Sequence, residues 1–410
     1  MEALSSFLHV SCDCIFKRSL PLQIAKRHTL HMVPHTEEDQ EIIDTVLKFS
    51  TTNIPRYTHL KEQHQLPLEL FHGYGDLGVT ALATSTEYGG LKKSNRIIAD
   101  VLETIASVDL GPAIFISVHL MVAKIIEHFA PDTMKQTLLP QLASGKLLGA
   151  FALTEPQAGS DAAALKTEAI ETDSGFILNG EKCYITSAGF ADAYIVFART
   201  PKTAGKEGIS AFIVSKDTAG LSVSSPEKKM GCELSPIASL TLRDCFVPHA
   251  ALLGTRGDGY RIALSGLAAG RVSIGACANG LSRTALSLAT QYMKERKQFG
   301  HALAEFQGLQ FMLADMRMQY EAAKLLVAYA AHALDTSLHT NQPNLYPSMA
   351  KCMATDHAMR ITTDAVQLFG GAGYIKDYKV EGLMRDAKML QIVEGANQVQ
   401  RVLIAKATLA

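Results

Sequence analysis

Apolar residues in this chain change their spacing twice, and the two changes cut it into three. Over residues 41–49, Ile42, Ile43, Val46, Leu47 and Phe49 fall at helix spacing, and residues 97–108 repeat the pattern. Gly73, Gly75, Gly78, Gly89 and Gly90 break this part into short helices and turns. From Phe151 the texture alternates and turns β-branched, with runs at 176–178, 184–186, 194–197, 210–214 and 239–242. Asn179-Gly180 stands between two of these runs, where a hairpin turn with positive φ at both central residues is expected. Past Tyr260 the helical period returns. Leu281, Ala285, Leu288, Ala289 and Tyr292 share one face, and Leu309, Leu313, Met316, Tyr320, Ala323 and Val327 share another. The prolines within 341–347 separate that second helix from the next. The pattern predicts an α+β multidomain fold: a tail over 1–34, an α-helical N-terminal domain over 35–150, a small β domain over 151–258 and a helical bundle over 259–410. The apolar faces of the bundle are continuous enough to be shared with another subunit.

Composition narrows the function. The 39 basic and 40 acidic residues are interspersed, which excludes the clustered cations that a nucleic-acid backbone requires. Cys12, Cys14, Cys183, Cys232, Cys245, Cys277 and Cys352 are odd in number and lack metal spacing, so neither a metal site nor a disulfide framework is expected and a reducing compartment fits. No apolar run approaches the roughly 20 residues of a membrane span, and a soluble protein is expected. The tail carries Lys17, Arg18, Lys26 and Arg27 against Glu2 and Asp13. That is the character of a mitochondrial presequence, which would place the protein in the matrix. It is equally that of a bacterial tail, or of a segment ahead of a true start at Met32, and either leaves the protein cytoplasmic.

Five segments carry candidate chemistry. The first, residues 151–161, joins the helical and β domains, where ligands commonly bind. Its Gly159 and Ser160 leave backbone N–H groups for a phosphate, although a plain loop capping the turn at 162–165 reads as well. In the second, residues 179–187, a strand sets Tyr184 and Thr186 on one face, either as a simple β pair or to cover a flat heterocycle and bond its edge. The third, residues 294–300, closes a long helix with three cations. They either satisfy the helix dipole or let Arg296 grip a diphosphate with its paired donors. The fourth, residues 367–374, has glycines that follow a helix rather than a strand, which rules out a Rossmann turn and suggests a helix end with close backbone approach. The fifth, residues 389–398, holds one carboxylate, Glu394, in an apolar run beside Gly395. Burial would raise its pKa into the range of a general base; the alternative is a snorkelling Glu or a pair with Arg401.

In this order the five segments resemble the acyl-CoA dehydrogenase family from about Thr36 to the C-terminus. The resemblance implies a helical N-terminal domain, a middle β-barrel, a C-terminal four-helix bundle and a homotetramer built as a dimer of dimers. It implies FAD held by Phe151, Leu153, Thr154, Gly159, Ser160, Tyr184 and Thr186, with Thr186 bonding flavin N5. Arg296, Phe299, Phe306, Gln307, Gln367, Gly370 and Gly371 match positions that hold the diphosphate and adenosine, several of them from a neighbouring subunit, and Ala396 and Gln398 match further FAD contacts. Ser160, Arg271, Val393 and Gly395 fall at substrate positions. Glu394 matches the catalytic base, which takes the α-proton of an acyl-CoA thioester as a hydride leaves the β-carbon for the flavin, giving the trans-2-enoyl-CoA. A minority branch keeps its base one residue before the arginine matched by Arg271; here that residue is Gly270. The electrons are expected to pass to an electron-transferring flavoprotein.

The chain departs from the family at several points. Ala268 replaces a frequent Asp that contacts the pantetheine arm, so an acyl-carrier-protein thioester is a second candidate substrate. Glu233 stands where a basic residue is common, Tyr184 replaces a frequent Trp, and Val393 an aromatic residue. Acyl-CoA oxidases share the fold, but usually carry a further C-terminal helical region not found before Ala410. A non-catalytic scaffold of the same fold has little use for Glu394.

Overall fold

The computed structural model describes residues 35–200, 205–336 and 344–410; the tail over 1–34 lies outside them. The first part is helical: α1 (Glu37–Asn53), α2 (Leu60–Gln63), α3 (Leu68–Asp76), α4 (Asn95–Val108), α5 (Leu110–Phe129) and α6 (Asp132–Ala143). Helix starts follow side-chain chemistry. Thr36 accepts from Asp39 N–H at 3.1 Å, Ser94 from Ile97 N–H at 3.3 Å and Asp109 from Gly111 N–H at 2.9 Å, each satisfying a donor that the first turn leaves open.

α5 corrects the expectation that no apolar run nears membrane length. It has 20 residues and is apolar enough by length and composition to cross a bilayer, but 89% of its apolar 18-residue window is buried inside the fold. It is the central core helix of its domain, packed on α4 and α6.

The middle part is a sheet of β1 (Gly149–Ala152), β2 (Glu168–Glu171), β3 (Gly175–Thr186), β4 (Ala193–Arg199), β5 (Ile209–Ser215), β6 (Leu221–Val223), β7 (Ile237–Pro248) and β8 (Leu252–Leu253). Its order is β6-β7-β3-β2-β4-β5-β8, with β1 joining β4 in parallel. The hairpin expected at Asn179-Gly180 is absent. The two runs form one strand, β3, and the dipeptide lies inside it at a register shift against β7. Two contacts override the local turn preference. Asn179 exchanges hydrogen bonds with Asp244 on β7 (2.8 and 3.1 Å), and Gly180 lies so close to Thr167 that a Cβ would come within 2.5 Å of its hydroxyl.

The last part begins with α7 (Gly259–Glu295). A two-stranded turn, β9 (Lys297–Gln298) and β10 (His301–Ala302), leads into α8 (Gln307–Asp335), followed by α9 (Leu345–Phe369), α10 (Lys379–Leu390) and α11 (Asn397–Leu409). α9 is the hub, packing on α7, α8, α10 and α11, while α4 and α5 of the first part also rest on α7. α7 therefore links the helical layers and sets where residues along its length fall.

Candidate active site

The connection between α10 and α11 reverses the chain through two left-handed residues, Glu394 (φ 55°) and Gly395 (φ 90°). Glycine adopts such a φ freely; for a glutamate it costs about 1–2 kcal/mol, so neighbours must hold it. They do so through carbonyls. Gln400 Nε2 donates to Glu394 O (3.2 Å) and Gly395 O (2.9 Å), Lys351 Nζ donates to Gly395 O (3.0 Å), and Arg271 Nε points at Glu394 O from 3.5 Å. Asn397 ties the loop to α9 by donating to Thr355 Oγ1 (2.9 Å) and Asp356 Oδ1 (2.7 Å).

The turn lays the Glu394 side chain on α7. Its Oε2 is buried and has no hydrogen-bond partner among the described residues. A Cβ at Gly270 would lie 2.6 Å from Oε2, so any larger residue there must move the carboxylate from this position. Burial raises the Glu394 pKa to about 7, against the opposing pull of the Arg271 and Lys351 cations. The pairing with Arg401 does not form: Arg401 engages Asp356 at 2.5 Å. Arg271 is 3% exposed and also donates to Asn344 Oδ1 (3.0 Å). Val393 is half-buried against the core, whereas Ile392 is 59% exposed.

A second cluster joins the first two sequence segments. Phe151 lies on β1 against Phe197 (ring centroids 4.9 Å), and Leu153 is buried. The Thr154 carbonyl accepts from Cys183 N–H (2.9 Å), which brings the loop beside the Tyr184 end of β3. Tyr184 sits at a second register shift with φ 58° and is 64% exposed; Ile185 is buried and Thr186 half-buried, so Tyr184 and Thr186 keep the face opposite the core. Gly159 and Ser160 are exposed, and nothing lies within 4 Å of a Cβ at Gly159. The turn at Ala162–Ala164 does follow, without a side-chain cap. An uncovered ring beside an open Gly-Ser loop fits a flat cofactor with a phosphate arm.

Sequence reasoning missed the pair that builds this cluster. Lys182 and Glu155, 0% and 2% exposed at the side chain, meet at 2.7 Å. Lys182 also donates to Leu153 O (3.2 Å), and Glu155 accepts from Lys166 N–H (2.6 Å) and Thr167 N–H (2.9 Å). No local signal marked it: strand alternation puts Lys182 on the face of Tyr184, and the register shift between Lys182 and Ile185 turns it inward.

A third group lies at the far end of the bundle. Arg296 caps α7 after Glu295. Phe299 (φ 53°, 92% exposed) and Gly300 (φ 82°) form the tip of the β9–β10 turn, and Phe306 and Gln307 begin α8. Gln367, Gly370 and Gly371 lie at the end of α9, joined to α7 by the Phe369–Tyr292 stack (centroids 4.1 Å, 12°). Twenty-five helical residues separate Arg271 from Arg296, about 37 Å of α7. The structure therefore does not bring this group to Glu394 within one chain. Ala396 and Gln398 follow the base at the start of α11. Glu233 pairs with Arg385 (3.4 Å), and Cys232 N–H donates to Asp386 (2.6 Å), docking the 230–235 loop on α10.

A helical layer, a branched sheet and a helical bundle that presents a half-buried acid, one oxygen of which is buried and unpartnered among the described residues, define a class of enzyme able to move a proton. Sequence profiles for the N-terminal, middle and C-terminal domains of acyl-CoA dehydrogenase match residues 36–146, 150–245 and 257–409. The chain belongs to the acyl-CoA dehydrogenase family. An acyl-CoA dehydrogenase of Bacillus subtilis is 40% identical over 375 residues, 91% of this chain and 98% of that one. Among solved structures, butyryl-CoA dehydrogenase from Megasphaera elsdenii superposes with a TM-score of 0.89 at 38% identity, covering 92% of this chain and 99% of the other. A chain from the structural work on the electron-transferring flavoprotein of Acidaminococcus fermentans gives 0.88 at 40% (92% and 100%). An acyl-CoA dehydrogenase of Bacillus anthracis complexed with FAD gives 0.87 at 31% (93% and 69%).

Proposed function

We propose that this chain catalyses the FAD-dependent α,β-dehydrogenation of an acyl-CoA thioester to the trans-2-enoyl-CoA, with Glu394 as the base. The observation that carries the reading is the buried Oε2 of Glu394, which has no partner among the described residues, belongs to an acid poised near neutrality and lies over Gly270, where a side chain would displace it. Held left-handed by Gln400, Lys351 and Arg271, Glu394 would take the α-proton of the substrate onto a carboxylate oxygen. Its backbone N–H would steady the developing enolate oxygen, and Gly395 keeps that approach open. Phe151, Leu153, Thr154, Gly159, Ser160, Tyr184 and Thr186 would hold FAD, which supplies the acceptor for the hydride leaving the β-carbon. An electron-transferring flavoprotein is the onward acceptor in this reading, as the Acidaminococcus fermentans neighbour suggests. The bacterial relative and the buried free cysteines support a cytoplasmic location.

The length of α7 supports an assembly of several copies. Arg296, Phe299, Phe306, Gln307, Gln367, Gly370 and Gly371 lie too far from Glu394 to serve the same dinucleotide, so they would complete the site of a neighbouring copy, in a homotetramer arranged as a dimer of dimers. The test is the visible spectrum of the purified protein as a panel of saturated acyl-CoAs is added without oxygen. Flavin absorbance bleached by at least one of them is expected; a colourless protein that FAD does not reconstitute would end the reading. Sedimentation of Phe299→Ser should show smaller particles than the parent protein, with weaker flavin retention.

A further inference from the structure

Lys351 is 0% exposed, yet neither acceptor of its ammonium group is an acid. It donates to the Gly395 carbonyl (3.0 Å) and to Asn397 Oδ1 (2.7 Å), the two ends of the segment just after the base. A lysine this deep normally has a carboxylate partner or gives up its charge. The nearest candidate on its own helix, Asp356, is already engaged by Arg401, by Gln391 Nε2 (2.7 Å) and by Asn397 Nδ2 (2.7 Å). The charged and titratable groups facing Lys351 are Arg271 from α7, Cys352 and Asp356 from α9, and Glu394 from the loop, with Arg401 of α11 beyond Asp356. Burial outweighs the attraction of the anions and brings the Lys351 pKa down to about 8. That lies one step above the value of Glu394.

We propose that Lys351 is the positioning residue of the base: its ammonium group holds the Gly395 carbonyl, so fixing the left-handed turn at Glu394, and its charge, added to that of Arg271, favours the ionised form of the Glu394 carboxylate. This rests on the dehydrogenase reading. The same proton serves two purposes, as a hydrogen-bond donor to the loop and as a field on the carboxylate. Losing it in alkali would loosen the turn and raise the proton affinity of the base together.

Two substitutions separate the purposes. Lys351→Met removes both donor and charge; Lys351→Gln keeps an amide donor and removes only the charge. The rate of anaerobic flavin bleaching by an acyl-CoA that the parent enzyme accepts is followed from about pH 6 to about pH 9.5. In both variants the acid limb should move up by about one pH unit, the shift a nearby cation typically imposes on a carboxylate. The maximal rate should fall further in Lys351→Met than in Lys351→Gln. The parent enzyme should drop to a lower plateau above about pH 8, and both variants should lack that step. Flavin-loaded variants whose acid limb stays within about 0.3 unit of the parent overturn the proposal. If neither variant folds, the parent profile decides, and a flat alkaline side overturns it. A parent protein bleached by no thioester fails at the dehydrogenase reading, and the role of Lys351 falls with it; unmoved limbs in an active enzyme remove only the role of Lys351.

Discussion

Gly270 lies under the carboxylate of Glu394, with a Cβ position 2.6 Å from Oε2, 2.9 Å from Cδ and 3.2 Å from Oε1. Gly270→Ala should therefore separate stability from activity. In the middle of α7, alanine favours the helix by about 0.5–1 kcal/mol. The added methyl must nonetheless push the acid aside, and a displacement of that kind costs on the order of 100-fold in rate. The melting temperature should hold or rise while anaerobic flavin reduction slows; a variant with normal turnover would show that the carboxylate does not work from this position.

The same burial makes Glu394 costly to the fold, with a sign that can be worked out. Its folded pKa, about 7, lies above the ordinary value of 4.5. Below pH 4.5 both folded and unfolded states hold the proton and nothing is lost. Between the two values the unfolded chain ionises while the folded one does not, so stability falls as pH rises. Above the folded value the penalty is constant, on the order of 3 kcal/mol at most. Glu394→Gln should thus be more stable than the parent in denaturant at pH 8 and indistinguishable from it near pH 4.5. It should also retain flavin and lose about 100-fold or more in reduction rate. Equal stability at both pH values would mean that the acid is not desolvated.

The buried Lys182–Glu155 pair makes a different prediction. Removing one partner strands the other charge, at a cost of about 3–5 kcal/mol, whereas removing both charges leaves less to compensate. Lys182→Met should lower the denaturation midpoint sharply and release flavin, because Glu155 anchors Lys166 and Thr167 at the far side of the 153–167 loop. Lys182→Met with Glu155→Gln should recover part of that loss. Strictly additive losses in the double-mutant cycle would rule out the coupling.

What the sequence made legible was chemistry out of place. Glu394 announced itself as one acid in an apolar run, and the two changes of period marked the helical and β parts. What stayed hidden was context. Lys182 and Lys351 look like any surface lysine until the fold buries them, and no local signal says which lysine will lose its water. Asn179-Gly180 carries the dipeptide of a tight turn, yet Asp244 and Thr167, remote in sequence, hold it within a strand. α5 escaped notice as an apolar run because Pro112, Ser117 and His119 interrupt it, and tertiary packing accommodates all three. The group around Arg296 and Phe299 could be matched from sequence, but only the length of α7 reveals that it points away from its own base.

Tyr184 permits the cleanest test of the second cluster, because what its backbone wants and what its ring offers are opposed. A tyrosine at φ 58° carries strain of about 1–2 kcal/mol. With 64% of its surface exposed, it recovers little by burial. A ring kept under those terms serves something outside the polypeptide. Tyr184→Gly should melt at the same temperature or a few degrees higher, since glycine adopts this φ without cost. It should lose flavin on gel filtration, whereas Tyr184→Phe should keep it, because the flat face and not the hydroxyl does the covering. Should Tyr184→Gly retain its flavin and reduce it at the parent rate, the ring has no part in holding the cofactor, and the cluster reduces to an ordinary β-bulge.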